Sequence, residues 1–272
     1  MPHHRPFSSY SGTALQCRCL SLLLLFLLTG CAGLSQRQFL PVDELTSREV
    51  LDSLRQKESV ISTLKGLFQV SISGSGIPLT QDLNGILAYH QPDQVRLKGY
   101  VRLGVPVLDF HREGNHYELF LPAEGRIVSG QVNGERQDSE WDQTVLLSLR
   151  ALDAVLGKIA GLSSSDARVL KDEQFFRIDQ VVAPQEDSGS SSEVWVRTRV
   201  DAHTLDIKSI EYFQPAEDLV VSVECEDYRP VKNKQSNEAL PVRLPFSVLA
   251  IDHRVMGGTV TLNFLEFILN AA

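Results

Sequence analysis

The sequence is short of cysteine, and its cysteines are unevenly placed. There are 4 in 272 residues, and Cys17, Cys19 and Cys31 lie close to the amino terminus. If those three are removed or modified, Cys225 has no partner in the chain, so no internal disulfide is predicted. Alternation along its strand places Cys225 on the same face as Val221 and Val223, which predicts a buried, unreactive thiol.

Positive charge is also scarce. The chain has 26 basic and 34 acidic side chains and a net charge of −8. Binding to a phosphate backbone requires clustered lysine and arginine, so nucleic acid is excluded as an expected partner.

No residue pattern typical of catalysis, of a cofactor or of a metal centre occurs. Gly74 and Gly76 form a G-x-G, but neither a helix nor a lysine follows as a phosphate loop needs. His111 and His116 are separated by a hairpin turn and have no further ligand to complete a zinc site. We therefore expect a protein that is not an enzyme and uses no cofactor or metal.

A short apolar run from Leu20 to Cys31 is the most informative stretch that is present. Basic residues precede it, and no acidic residue occurs before Asp43. A basic start, a short apolar run and small residues before a cleavage point are the parts of a secretory signal. The run has about a dozen residues, too few for a membrane span of roughly 20.

The end of this run, Leu28 to Cys31, resembles the lipobox of bacterial lipoproteins. The resemblance implies cleavage before Cys31, a diacylglycerol on its sulfur and a further acyl chain, such as palmitate, on its amino group. Three acyl chains exceed the two hydrophobic signals that lasting attachment requires. The alternative is an ordinary secretory signal that happens to end in cysteine.

These features predict three segments. Residues 1–30 are expected to be a signal peptide, 31–42 a tether from the lipidated cysteine, and 43–272 a single domain. Ala32 stands where an aspartate would retain a lipoprotein at the inner membrane, so the resemblance implies the periplasmic face of the outer membrane.

The domain is predicted to contain two helices and many short strands. The capping-box pattern from Thr46 to Glu49 begins a helix that is expected to end near Gly66. A second apolar stripe runs from Val145 to Ile159. Elsewhere alternating residues separated by turn signals predict antiparallel meanders, with Pro241 and Pro245 suited to an edge strand.

Several segments resemble the LolA/LolB-like lipoprotein-handling superfamily of the periplasm. The similarity is strongest from Leu64 to about Gly130. It is carried by residues 64–66, 85–89, 92–97, 103–107, 240–244 and 260–263. The resemblance implies an α+β fold, mainly antiparallel β, in which an unclosed half β-barrel of about 11–12 strands curls around helices.

The resemblance also implies a function and two kinds of site. Members bind acyl chains in an apolar cavity, and anchored members receive lipoproteins from a soluble periplasmic carrier and release them into the outer membrane. Leu103 and Gly104 match a leucine-glycine loop that contacts the membrane in such members. Alternation gives the candidate cavity-lining residues Phe68, Val70, Ile72, Ile86, Val95, Leu97, Leu119, Leu121, Val196 and Val221.

The expected function is that of a lipid-anchored protein that binds acyl chains and acts in lipoprotein sorting or insertion. Barrels of this size tend to enclose a small apolar ligand, and burial of acyl chains needs shape more than specific partners. The alternative is a non-catalytic envelope scaffold that docks partner proteins, in which case the same residues are a core filled by the helices.

Overall fold

A computed structural model describes residues 45–74, 82–132, 140–159, 167–182, 194–214, 218–231, 233, 241–254 and 257–270. The predicted signal peptide, Cys31 and the tether lie outside these residues. Within them, no helix is both long enough and apolar enough to cross a bilayer.

The described chain forms two α-helices and thirteen β-strands. The helices are α1 (Ser47–Ser59) and α2 (Glu140–Val155). The strands are β1 (Thr63–Gly74), β2 (Asp82–His90), β3 (Gln94–Tyr100), β4 (Pro106–Glu113), β5 (His116–Leu121), β6 (Arg126–Gln131), β7 (Arg168–Lys171), β8 (Phe175–Val182), β9 (Val194–Asp201), β10 (Ile207–Gln214), β11 (Asp218–Val231), β12 (Val242–Asp252) and β13 (Gly258–Leu269).

All thirteen strands belong to one antiparallel sheet. Their order is β6-β5-β4-β3-β2-β1-β13-β12-β11-β10-β9-β8-β7, so two meanders meet where β1 pairs with β13. The sheet is unclosed, and β6 and β7 are its two edges. The predicted α+β half-barrel is confirmed, with slightly more strands than the sequence pattern indicated.

The seam between the two meanders is fastened by Asn270, which directly follows β13. Its side-chain Oδ1 accepts hydrogen bonds from the backbone N–H of Ser62 at 3.0 Å and of Thr63 at 3.1 Å. Its Nδ2 donates to the carbonyl oxygen of Val60 at 3.0 Å. One carboxamide therefore joins the end of the last strand to the turn that precedes the first.

Helix α1 begins as predicted and ends earlier than predicted. The Thr46 hydroxyl accepts from the Glu49 backbone N–H, and the Glu49 carboxylate accepts from the Thr46 backbone N–H, which is a complete capping box. The helix stops at Ser59, and Leu64 already lies in β1. Leu64 fits the helical spacing of apolar residues, but its side chain points into the core from β1.

The core lies on one face of the sheet, which we call the inner face. Alternation in the strands directs one apolar set of side chains to this face, where α1 and α2 cover it. Helix α2 packs against β11, β12 and β13. The predicted acyl-chain cavity corresponds to the space between the inner face and α2.

Candidate functional site

Most predicted cavity-lining residues lie on the inner face. Ile72 and Leu97 are partly buried and pack against the core. The others that face inward are almost completely buried: Phe68, Val70, Val95, Leu119, Leu121, Val196 and Val221. Their side chains are covered by other protein atoms, and whether they take up a ligand stays a prediction.

Ile86 is the exception, because it lies on the outer face and is 46% exposed. The inward set of β2 includes Gly85 and Leu87 instead. Its register with β1 places Gly85 opposite Phe68, whose ring occupies the space that a side chain at position 85 would need. The assignment of Ile86 to the cavity lining is therefore wrong. Ile86 and Ala88 share the outer face with Asp82, Asn84 and His90, so alternation over the whole strand identifies the inner face, whereas this apolar pair alone does not.

Aromatic rings cover the inner face around the seam. The ring centroids of Phe68 and Phe264 are 5.8 Å apart, and those of Phe264 and Phe267 are 4.4 Å apart. Phe246 meets Phe267 edge to face at 5.0 Å. Aromatic pairs at these separations add to the energy of simple area burial. These four rings form an apolar surface on the sheet, which we call the aromatic wall.

Helix α2 is apolar on nearly all sides, and it fills the space in front of this wall. The predicted stripe of Val145, Leu149 and Leu152 is buried, and so are Ala151 and Ala154 on other sides of the helix. A helix that is apolar around most of its circumference is stable only when it is surrounded. In this structure α2 therefore occupies the interior in which acyl chains were predicted to bind.

Polar contacts fasten the carboxyl-terminal half of α2 to the sheet. The Arg112 guanidinium on β4 lies 3.4 Å from the Asp153 carboxylate on α2. The Arg150 guanidinium stacks over the Tyr212 ring of β10, 3.8 Å from its centroid. Burial raises the pKa of the Asp153 carboxyl, and the charge of Arg112 opposes that rise. These contacts hold α2 between opposite wings of the half-barrel.

A polar pocket of about 300 Å³ opens beside these contacts. Within it the Lys158 ammonium lies 2.7 Å from the Asp93 carboxylate. Desolvation raises the pKa of the Glu58 carboxyl. The lining of this pocket includes Glu58, Asp93, Arg112, Asp153, Lys158 and Tyr212. No sequence pattern predicted this pocket, although Arg112, a basic residue at an inward strand position, is a signal for it.

The described residues contain no group of three metal-ligating side chains. Cys225 is buried on the inner face, and burial raises the pKa of its thiol to about 12. A thiol with such a pKa is almost entirely protonated at neutral pH and is a poor nucleophile.

The predicted membrane-contact loop joins β3 to β4. Its residues Arg102–Gly104 form one turn, in which Leu103 has a φ of 72° and Gly104 a φ of 75°. The backbone N–H of Val101 donates to the Val105 carbonyl at 3.1 Å and closes the turn. The Leu103 side chain is fully exposed, and Val105 is largely exposed too. Whether these two side chains enter a membrane stays a prediction.

No family model and no curated protein matches the chain in sequence. Its fold is nevertheless similar to that of solved structures. An outer-membrane lipoprotein-sorting protein domain from Vibrio parahaemolyticus superposes with a TM-score of 0.56 at 12% identity, over 82% of this chain and 92% of that one. A LolA superfamily protein from Nitrosomonas europaea gives a TM-score of 0.50 at 10% identity, over 84% and 95%.

A DUF1329 family protein from Desulfovibrio piger is similar to the same extent, with a TM-score of 0.52 at 11% identity over 85% and 94% of the two chains. The class defined by the sheet and its central helix is an unclosed antiparallel half-barrel filled from within. Among such proteins, the described chain has the LolA/LolB-like fold. The predicted resemblance is thereby confirmed at the level of fold.

Proposed function

We propose that this protein is anchored by acyl chains on Cys31 at the periplasmic face of the outer membrane. There it takes up acyl chains of lipoproteins on its inner face, in the course of their sorting or insertion. A soluble periplasmic carrier is the expected donor. The proposal is supported by the lipobox-like sequence ending at Cys31 and by a fold that a lipoprotein-sorting domain shares.

The observation that carries the proposal is the aromatic wall on the inner face of the sheet. Acyl chains need an apolar groove, and departure of α2 from β12 and β13 would open one lined by the aromatic wall of Phe68, Phe246, Phe264 and Phe267. The helix is a separate element that is held at its carboxyl-terminal half by few polar contacts. An acyl chain that replaces α2 regains the apolar contacts that the helix gives up.

Uptake can be measured with a fluorescent fatty acid and by native mass spectrometry. The test uses the full chain with Cys31→Ser, so that no acyl chain of its own competes. We expect saturable binding, and we expect Phe264→Asp, which places a charge on the wall, to abolish it. Phe120→Asp, on the exposed outer face, is the matched control. An absence of binding by the parent chain would refute the carrier role.

Anchoring is tested separately. Cells fed labelled palmitate should incorporate the label into the wild-type chain and not into the Cys31→Ser variant. Equal labelling of the two chains would contradict lipidation at Cys31.

The scaffold role is the second candidate, and the filled interior is the observation that favours it. Val196 and Val221, for example, are covered by protein atoms. Edge strand β6 also exposes Ile127 beside Phe120 of β5, which is a surface suited to pairing with another protein. A chain that binds no acyl probe and loses a cross-linked envelope partner on Ile127→Lys substitution would favour this role.

A further inference from the structure

Two buried polar side chains interrupt the apolar inner face of β8 and β9. Gln180 is 2% exposed and Thr198 is 0% exposed. Neither the Gln180 Nε2 and Oε1 atoms nor the Thr198 Oγ1 atom has a hydrogen-bond partner among the described residues. Their inward neighbours on the same two strands, Ile178, Val196 and Val200, are apolar and buried. Buried side-chain polar atoms nearly always have partners, so three unpaired atoms on adjoining strands require an explanation.

The two residues are arranged as a pair. Gln180 is opposite Val196 in the register of β8 with β9, and Thr198 is opposite Ile178. They are therefore diagonal neighbours on one face, at a separation of roughly 7 Å. Together they offer hydrogen-bond donors and acceptors inside an apolar surface.

The pair is connected to the polar pocket by a row of side chains across the sheet. Val196 is opposite Gln180 on one side and Tyr212 on the other, and Tyr212 lines the pocket. Strands are spaced at about 4.8 Å, so Gln180 lies about 10 Å from Tyr212 along this row. A chain that enters beside Tyr212 meets Gln180 two strands further on.

We propose that Gln180 and Thr198 bind the amide group that links an acyl chain to a lipidated amino terminus. This inference rests on the proposed function and specifies the chemistry of its ligand. The Gln180 Oε1 atom needs a donor, and the Gln180 Nε2 atom and the Thr198 hydroxyl need acceptors. An amide supplies an N–H and a carbonyl oxygen on opposite sides, whereas an ester or a phosphodiester supplies acceptors only.

Two matched probes test the assignment. They carry the same hexadecanoyl chain with a terminal fluorophore and end in either an N-methyl amide or a methyl ester. Binding is measured on the full chain with Cys31→Ser. We expect the amide to bind at least about tenfold more tightly than the ester, because only the amide satisfies Gln180 Oε1.

The variants separate the two halves of the pair. Gln180→Met should bring the ratio of the two affinities close to one, because it removes the acceptor for the N–H. Thr198→Val should weaken both probes equally, because both carry the carbonyl oxygen. Gln69→Met, on the exposed face of β1, is the control and should change neither affinity.

Thermal unfolding of the ligand-free chain is the second measurement. Gln180→Met and Thr198→Val should each raise the unfolding temperature, because each removes a buried group that has no partner. A fall in that temperature would show that the pair is already satisfied within the protein and would overturn the inference. An unchanged preference for the amide in Gln180→Met would overturn it as well. If neither probe binds the parent chain, the proposed function itself fails.

Discussion

A substitution at Leu103 is expected to increase the stability of the protein and to weaken its binding to membranes. Its φ of 72° lies in the left-handed region, and its side chain is fully exposed. For a residue with a branched side chain this conformation costs about 1 kcal/mol or more, and no buried contact of the side chain repays it. Such strain persists mainly where a function requires it.

The informative change is Leu103→Asn, because asparagine adopts the left-handed region readily. We expect the free energy of unfolding to rise by about 0.5–1 kcal/mol, which for a domain of this size is a shift of roughly 2 °C in the unfolding temperature. Thermal denaturation of the full chain measures it.

The same substitution should weaken binding to membranes. An inserted leucine side chain contributes about 1.5–3 kcal/mol, so the partition coefficient into lipid vesicles should fall about tenfold or more. The measurement uses the Cys31→Ser background, since acyl chains would otherwise dominate the attachment. Ile127→Thr removes another exposed apolar side chain, 65% exposed, from edge strand β6 and should leave partition unchanged.

Two results would refute this reasoning. Loss of stability in Leu103→Asn would mean that the turn does not strain the leucine. Partition that is unchanged in Leu103→Asn, or reduced just as much in Ile127→Thr, would mean that the loop is not the part of the fold that meets the bilayer.

Three further measurements test the packing that supports the site. Asn270→Ala should lower the free energy of unfolding by about 2–4 kcal/mol in chemical denaturation, because it removes the hydrogen bonds between this buried carboxamide and three backbone groups. Asn263→Ala, on the exposed face of β13, should change it little. Gly85→Ala should cost about 1–3 kcal/mol in the same assay, since its Cβ would lie 2.2 Å from the ring of Phe68. Cys225 should react with a maleimide only as fast as the chain unfolds, with Cys225→Ala as the blank, and rapid labelling of the native chain would contradict its burial.

The sequence predicts the sheet well because its strands mostly carry apolar residues on one parity and are separated by clear turn signals. The prediction of which residues face inward fails where apolar residues occur on both faces of a strand. In β2 the outer positions also carry two apolar residues, Ile86 and Ala88, and Ile86 was therefore assigned to the wrong face. The ring of Phe68, which fills the space over Gly85, agrees with the observed register.

Pro245 shows a second kind of failure. Proline within a strand predicts an edge, yet β12 lies between β11 and β13. The registered pairing of β12 with β13 begins only at Ser247, so Pro245 has a paired neighbour on the β11 side alone, at Tyr228. Proline has no backbone N–H to donate, and at Pro245 one neighbouring strand is unpaired, although β12 as a whole is an internal strand.

The polar residues of the site could not be predicted in the same way. Arg112, Gln180 and Thr198 each occupy an inward position that alternation assigns to the core, and a single polar residue there is easily taken as an irregularity of the pattern. Their importance depends on what lies across the interior, such as Asp153 on α2, and no local pattern contains that information.

The filled interior sets a condition on any carrier role. Burying the roughly 15 methylenes of an acyl chain from water is worth about 12 kcal/mol, at about 0.8 kcal/mol each. A chain that comes from a bilayer or from another protein's cavity is already out of water, so little of that energy is available to displace α2. The helix must therefore leave at a cost well below the free energy of global unfolding.

Hydrogen exchange measures that cost directly. We expect the backbone amides of α2 to exchange through a local opening of lower free energy than those of β1 and β13, which are held in the middle of the sheet. Arg112→Met, which removes the contact with Asp153, should lower the opening free energy of α2 further and increase uptake of the fluorescent fatty acid. If the amides of α2 exchange only with the central strands, the helix is a permanent part of the core. The inner face is then closed to acyl chains, and the scaffold role is the one that remains.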